Sequence, residues 1–159
     1  VPDNPDIYEF LTGIQYLNYL SDIFEVPADV RERRIRAYAD RLSLTSALGD
    51  LISSYSHGMR QKLVLIGALV HQPTLLVLDE PAAGMNPQET EELTAFIGEI
   101  REKFKITILL IEHHMNLVMG ISDRIYVLDF GKLIAHGTPA EIQNNQRVID
   151  EYMGVADDA

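Results

Sequence analysis

Two adjacent carboxylates stand directly after an apolar stretch of this chain. The residues from Thr74 to Leu78 are apolar or β-favouring, Asp79 and Glu80 follow them, and Pro81 ends the run. This pattern predicts a strand buried on both faces, as in a parallel sheet between helices, and it also fits a core strand that simply enters a polar loop. Ligands of open α/β sheets bind at the carboxyl ends of strands. One carboxylate there can hold a divalent cation while its neighbour polarises water, which suits hydrolysis of a nucleoside triphosphate.

Two other positions carry residue types that could take part in the same chemistry. Ser56 precedes a helical pattern and Gly58 lies in its first turn, which is typical of an anion site and equally of an ordinary helix cap. His113 follows a second apolar run, 106–111. A histidine at the end of a neighbouring parallel strand could reach the crevice that holds Glu80, although a surface or capping histidine is the simpler interpretation.

The composition limits the classes of function. A chain of 159 residues with 47% hydrophobic residues fits one globular domain, and the absence of cysteine excludes disulfides and thiolate chemistry. The formal charge of −11 argues against nucleic acid as a partner, because phosphate backbones require a basic face. ATP stays possible, since backbone N–H groups and Mg²⁺ can carry its charge. No signal sequence and no membrane-spanning run is apparent, which favours the cytoplasm.

The hydrophobic periodicity predicts helices up to about residue 52 and then an alternation of strands and helices. A helix capped by Ser56 precedes a strand at 74–79, and a helix from Pro87 to Lys105 precedes a strand at 106–111. A short helix follows, and then a hairpin of strands 124–128 and 133–136 and two short helices. The seven-residue loop 81–87 is rich in small residues, which suits either a simple connector or an interface.

Taken in order, these segments resemble the second half of the nucleotide-binding domain of ATP-binding cassette (ABC) transporters. Ser56–Met59 stands where the family carries its Leu-Ser-Gly-Gly-Gln signature, and Leu75–Glu80 looks like the Walker B strand with its catalytic glutamate. Ala83–Asn86 resembles the D-loop and His113 the switch histidine, while Asp3 falls at the Q-loop glutamine. The resemblance implies an α/β fold, a partial P-loop NTPase core with parallel strands and a C-terminal hairpin, preceded by an α-helical subdomain.

The resemblance also implies a role for each matched residue. Asp79 would help to hold Mg²⁺ through water, Glu80 would act as the general base, and His113 would sense the γ-phosphate. The remaining matched residues would contact ATP: Ser56, His57, Gly58, Met59, Asn86 and Asp3. Those of the signature would contact ATP that is bound to the opposite subunit of a head-to-tail dimer.

The implied cofactors are ATP and Mg²⁺. The implied partners are a second ABC ATPase subunit, in a homodimer or heterodimer, and transmembrane permease subunits, which would place the protein on the inner face of the cell membrane. The whole chain, 1–159, would form one partial ABC ATPase domain. Residues from about 4 to 72 would be the helical subdomain with the signature helix, and 73–159 the second half of the catalytic core with the C-terminal helices.

Several departures from the family pattern bear on activity. The sequence contains no Gly-x-x-x-x-Gly-Lys-Ser/Thr loop, so we expect the chain alone to bind ATP very weakly and not to hydrolyse it. His57 replaces the first signature glycine and Met59 the glutamine, while Asn86 and Asp3 replace the aspartate of the D-loop and the glutamine of the Q-loop. These changes fall on the residues that would provide signature function and the Q-loop contacts.

The resemblance is mixed along the chain, and two other functions stay open. Residues 1–80 look most like ATPases of drug or peptide exporters, and residues 81–154 look more like those of branched-chain amino acid importers. One alternative is a non-catalytic interaction module that completes the ATP site of a partner cassette. Another is a soluble ABC ATPase without a membrane partner.

Overall fold

The computed structural model describes the backbone of residues 7–153 and the side chains of 7–151. Asp3, the residue matched to the Q-loop, lies outside the described residues. The chain divides into two compact units, Val1–His113 and His114–Ala159. The division into a helical subdomain and a catalytic core near residue 72 stays a prediction.

The first unit begins with a block of helices. Helix α1 (Gly13–Ile23) is followed by α2 (Ala28–Arg41) and α3 (His57–Leu69), and short 3₁₀ turns at Thr45–Ala47 and Ile52–Ser54 connect α2 to α3. Thr12 caps α1 in a capping box with Gln15, and Pro27 precedes α2. The prediction of helices up to about residue 52 is therefore confirmed as far as Arg41, after which the chain forms 3₁₀ turns until α3.

The three helices pack around a shared apolar core. Leu17, Ile35 and Leu63 are almost completely buried, and α3 packs against both other helices. Gly67 permits the close approach of α1 and α3, because a Cβ at this position would lie 2.5 Å from the Cδ1 atom of Leu20. Arg34 donates to the carbonyl of Val70 and so binds the carboxyl end of α3.

A strand, a helix and a second strand complete the first unit. Strand β1 (Leu75–Asp79) pairs in parallel with β2 (Thr107–Ile111), so that Asp79 lies opposite Ile111 at one edge. Between them runs α4 (Pro87–Phe104), which Asn86 caps in a capping box with Glu89 and which carries proline in its first turn.

The two parallel strands are covered on one face only, where the side chains of β1 are buried and those of β2 are half-buried. Leu76 and Leu78 are 4% and 0% exposed, whereas the alternate side chains of both strands are 40–54% exposed: Leu75, Val77, Leu109 and Ile111. The prediction of burial on both faces is therefore wrong for this chain. Successive side chains of a strand point to opposite faces, and the described residues cover only one of these faces.

The second unit contains the predicted hairpin. After α5 (Met115–Ile121), strands β3 (Ile125–Asp129) and β4 (Lys132–Gly137) pair in antiparallel fashion. Phe130 and Gly131 form the turn with positive φ angles, as a two-residue hairpin loop requires. Two short helices, α6 (Pro139–Gln143) and α7 (Gln146–Val148), and a π-helical turn at Ile149–Met153 follow.

The hairpin and the short helices share a small core of their own. Its buried members come from β3, β4, α6 and α7: Ile125, Val127, Ala135, Ile142 and Val148. Over residues 7–153, no helix combines the length and the apolar character that crossing a membrane demands.

Candidate active site

The backbone of Glu80 makes two hydrogen bonds where β1 ends. Its backbone N–H donates a hydrogen bond of 2.8 Å to the carbonyl of Ile111, the last residue of β2, and its own carbonyl accepts one of 3.0 Å from Ala83. The φ angle of Glu80 is +45°, in the left-handed region that residues other than glycine rarely adopt. Strained backbone of this kind is concentrated at functional sites, where the surrounding contacts fix it.

The side chains of Glu80 and His113 meet at the shared edge of the two strands. Nδ1 of His113 lies 3.5 Å from Oε1 of Glu80, and both side chains are accessible, with exposed fractions of 62% and 42%. A carboxylate beside an imidazole can accept a proton from water while the imidazole contacts a neighbouring anionic oxygen. The structure thus brings together the two residues that the sequence assigns to catalysis.

Asp79 is the last residue of β1 and its side chain is exposed at the same edge of the sheet. An exposed carboxylate at the end of a parallel strand fits a water-mediated contact with Mg²⁺, a cation that keeps several waters when it binds proteins. The donor type therefore suits the role that the resemblance assigns to Asp79.

A fully buried carboxylate, Glu112, lies between these elements. Its side chain has an exposed fraction of 0%. One carboxylate oxygen accepts a hydrogen bond of 3.1 Å from the backbone N–H of Ala82, and the other accepts one of 2.8 Å from the backbone N–H of His113. The sequence analysis assigned no role to Glu112. An acid that directly follows an apolar strand and directly precedes His113 was the available signal.

The signature-like segment opens helix α3. Ser56 caps the helix with extended backbone, and its hydroxyl oxygen accepts a hydrogen bond of 3.2 Å from the N–H of Met59. Gly58 is buried, whereas His57 and Met59 are half-buried. The predicted cap is confirmed. The N–H groups at the start of a helix also carry partial positive charge, which favours an anion.

The start of α3 lies against the loop that follows Glu80. A Cβ at Gly84 would come within 2.9 Å of Cδ2 of the His57 ring, and a Cβ at Gly58 would come within 3.2 Å of Oε1 of Glu89. Gly84 also has a φ angle of +66°. The signature-like segment and the D-loop-like segment are therefore in direct contact.

Ion pairs and a helix cap hold this contact in place. Lys62 is buried, and its Nζ lies 3.4 Å from Oε2 of Glu92 and 3.9 Å from Oε1 of Glu89, so it joins α3 to α4. The side chain of Asn86 accepts a hydrogen bond of 2.9 Å from the N–H of Glu89. Asn86 thus caps α4 at the place where the resemblance would put a nucleotide contact.

Two family profiles match the chain. The profile described as ABC transporter matches residues 5–83, and that described as branched-chain amino acid ATP-binding cassette transporter matches residues 132–158. The two matches lie in order along the chain.

Curated relatives with related names match most of the chain. The high-affinity branched-chain amino acid transport ATP-binding protein LivG of Escherichia coli is 47% identical over 123 residues, which are 77% of this chain and 48% of that protein. BraF of Pseudomonas aeruginosa, named for the same transport, is 40% identical over 144 residues, which are 87% of this chain and 56% of that protein. The chain thus spans about half the length of these relatives.

Solved structures agree on the fold. A structure described as the ATP binding subunit of an ABC transporter superposes with a TM-score of 0.81 at 26% identity, over 96% of this chain and 65% of that one. The ADP conformation of MJ1267, an ATP-binding cassette of an ABC transporter, superposes with a TM-score of 0.75 at 21% identity, over 96% and 66%. With two family profiles, close relatives and a shared fold in agreement, the chain belongs to the ABC transporter ATP-binding family.

Proposed function

We propose that this chain belongs to an ATP-binding subunit that hydrolyses MgATP to drive import of branched-chain amino acids. The observation that carries the proposal is the pairing of Glu80 and His113 at the edge of the parallel sheet, 3.5 Å apart and both accessible. The names of LivG and BraF and the profile over residues 132–158 support the class of substrate.

In the proposed mechanism, Glu80 is the general base. Its carboxylate takes a proton from the attacking water, and its fixed backbone limits the orientations that the side chain must search. His113 contacts the γ-phosphate and keeps the water in line. Asp79 would hold Mg²⁺ through water, and such an ion would supply positive charge close to the phosphate oxygens.

The contact between α3 and the loop after Glu80 supports a dimeric site. Ser56 and Gly58 would present the N–H groups at the start of α3 to the γ-phosphate of ATP bound by a second subunit. Because Gly84 touches His57, a shift of the signature-like segment would move the loop that follows the general base. ATP bound on one subunit would in this way affect the catalytic residues of the other.

The proposed partners are a second ABC ATPase subunit and transmembrane permease subunits. The location that follows is the cytoplasmic face of the cell membrane, with the protein held there by its permease. The helical block of the first unit would be the part that contacts the permease, as the resemblance implies.

Calorimetric titration of the purified chain with ATP and Mg²⁺ tests this proposal. The sequence holds no Gly-x-x-x-x-Gly-Lys-Ser/Thr loop, so we expect no binding below the millimolar range. Addition of a separately produced polypeptide that carries this loop and the preceding strands should then create tight MgATP binding and release of phosphate. Tight binding by the chain alone would contradict the assignment of the nucleotide site.

The second candidate function is a non-catalytic module that completes the site of a partner cassette. The ordered start of α3 and its contact with Gly84 favour this candidate, because both belong to the surface such a module would offer. It predicts that the chain raises the phosphate release of an intact cassette even when Glu80 is replaced by glutamine. If Glu80 is the general base, the Glu80→Gln chain should fail to raise phosphate release at the ATP site that contains Glu80.

A further inference from the structure

We infer that Glu112 is the positioning residue that sets the geometry of the Glu80–His113 pair. This inference rests on the proposed function for its catalytic meaning, and on the described contacts for its structural content. The hydrogen bonds that Glu112 accepts from Ala82 and His113 both come from backbone N–H groups. Its Oε2 atom also lies 3.9 Å from Nδ1 of the His113 imidazole, beyond hydrogen-bond distance.

The two bonds join the ends of two different strands. Ala82 lies in the turn that follows Glu80 and β1, whereas His113 follows β2. One carboxylate group accepts from both, with distances of 3.1 Å and 2.8 Å. It therefore fixes the turn after Glu80 relative to the backbone of His113, and so the separation of the two catalytic side chains.

Burial makes this link specific. The carboxylate of Glu112 is shielded completely from solvent, with an exposed fraction of 0%. Because the acceptor side chain is shielded from water, solvent competes little with the two N–H groups for its oxygens. Only a side chain with two outward oxygens on a stem of this length can serve both at once.

The replacement Glu112→Gln tests whether both acceptor oxygens are needed, because it removes one of them and keeps the shape of the side chain. Glutamine offers a single carbonyl oxygen, and its NH₂ group would face one of the two N–H donors. We expect the amide of Ala82 or of His113 to exchange its hydrogen roughly tenfold faster. Hydrogen exchange resolved to single residues by mass spectrometry measures this at low protein concentration. The amides of β1 and β2 should keep their rates.

Two variants provide controls. Glu102→Gln removes the same charge from an exposed position near the end of α4 and should leave both amides unchanged. Glu112→Asp keeps two oxygens on a shorter stem and should restore part of the protection. If Glu112→Gln does not fold, the unmodified chain decides: an Ala82 amide that exchanges as fast as in an unstructured peptide overturns the inference.

Turnover separates positioning from a purely structural role. In the mixture of this chain with the polypeptide that carries the phosphate-binding loop, Glu112→Gln should lower kcat between about tenfold and about a hundredfold. KM for ATP should stay within about twofold of the unmodified value, because Glu112 does not face the nucleotide. Faster amide exchange with unchanged kcat would overturn the positioning role. Absence of any turnover with the unmodified chain would count against the proposed function and leave the exchange result standing.

Discussion

Replacement of Gly84 by alanine should destabilise the first unit through two separate effects. The φ angle of +66° lies in the left-handed region, where a residue with a Cβ costs about 1–2 kcal/mol. The added Cβ would also lie 2.9 Å from Cδ2 of His57, closer than ordinary van der Waals contact. Because that ring is only half-buried and can move, we assign about 1 kcal/mol to the crowding.

The two contributions are partly offset in the unfolded chain. Alanine restricts the unfolded backbone more than glycine does, which favours folding by about 0.4–1 kcal/mol. The expected net loss is therefore about 2 kcal/mol in the free energy of unfolding. With a denaturant slope of about 1–3 kcal/mol per molar in urea, the midpoint should fall by about 1 M. Urea titration followed by circular dichroism measures this shift.

Gly98 provides the matched control. It lies inside α4, and a Cβ there would meet no atom within 4 Å. Gly98→Ala should therefore raise stability by about 0.5–1 kcal/mol, opposite in sign to Gly84→Ala. In a chain that already carries His57→Ala, the change Gly84→Ala should lower the free energy of unfolding by less than it does in the unmodified chain. The difference is the cost of crowding, and the loss that remains is the cost of the left-handed backbone. A Gly84→Ala chain as stable as the unmodified one would refute both the contact and the left-handed assignment.

Three further predictions follow from other contacts. Burial, and then the charge of Arg34, lower the pKa of His71 below its ordinary value of 6.5. The unfolded chain therefore binds the proton more readily, and the free energy of unfolding should decrease as pH falls from 6.5 through the lowered pKa. His71→Gln should flatten that dependence in urea titrations, and an unchanged slope would contradict the assignment. The pKa of Glu141 is lowered below 4.5, first by the backbone N–H of Thr138 and then by its hydroxyl. Thr138→Val removes the hydroxyl and keeps the backbone donor, so a carbon-13 titration should show the pKa of Glu141 raised but still below 4.5. A full return to 4.5 would show that the backbone hydrogen bond contributes nothing. The exposed face of the parallel strands should promote association, so Val77→Thr with Leu109→Thr should lower the mass measured by sedimentation, whereas Leu133→Thr on the hairpin should not. A monomeric unmodified chain would argue against this.

Local signals in the sequence predicted the elements well. Ser56, Thr138 and Pro87 each mark a helix start that the structure confirms, because caps and first-turn prolines act through neighbouring backbone groups alone. The hairpin at Phe130–Gly131 follows from the same kind of local chemistry. The order of strands and helices was thus available without tertiary information.

Burial was less predictable than the elements themselves. The apolar runs of β1 and β2 are typical of strands covered on both faces, yet Val77 and Leu109 remain exposed by 40% and 54%. The apolar composition of a strand indicates that both of its faces could be buried, whereas the actual exposure depends on which other elements pack against it.

The proximity of the candidate residues could be predicted from the sequence, whereas the hydrogen bonds around them could not. Asp79, Glu80 and His113 were identified because parallel strands end at a common edge. The hydrogen bonds of Glu112 depend on how the turn after Glu80 aims one backbone N–H, which no sequence pattern specifies. The contact of Gly84 with His57 likewise depends on the packing of α3 beside α4.

The central claim is that Glu80 is the general base of an ATPase. Its most direct test is phosphate release by the chain mixed with the polypeptide that carries the phosphate-binding loop, with Glu80→Gln compared with Glu91→Gln. Glu91 is exposed on α4 and loses the same charge. Our account predicts that Glu80→Gln lowers turnover by about 10²–10⁴-fold with MgATP binding retained, and that Glu91→Gln has no effect. A Glu80→Gln chain that supports close to full turnover would contradict the account.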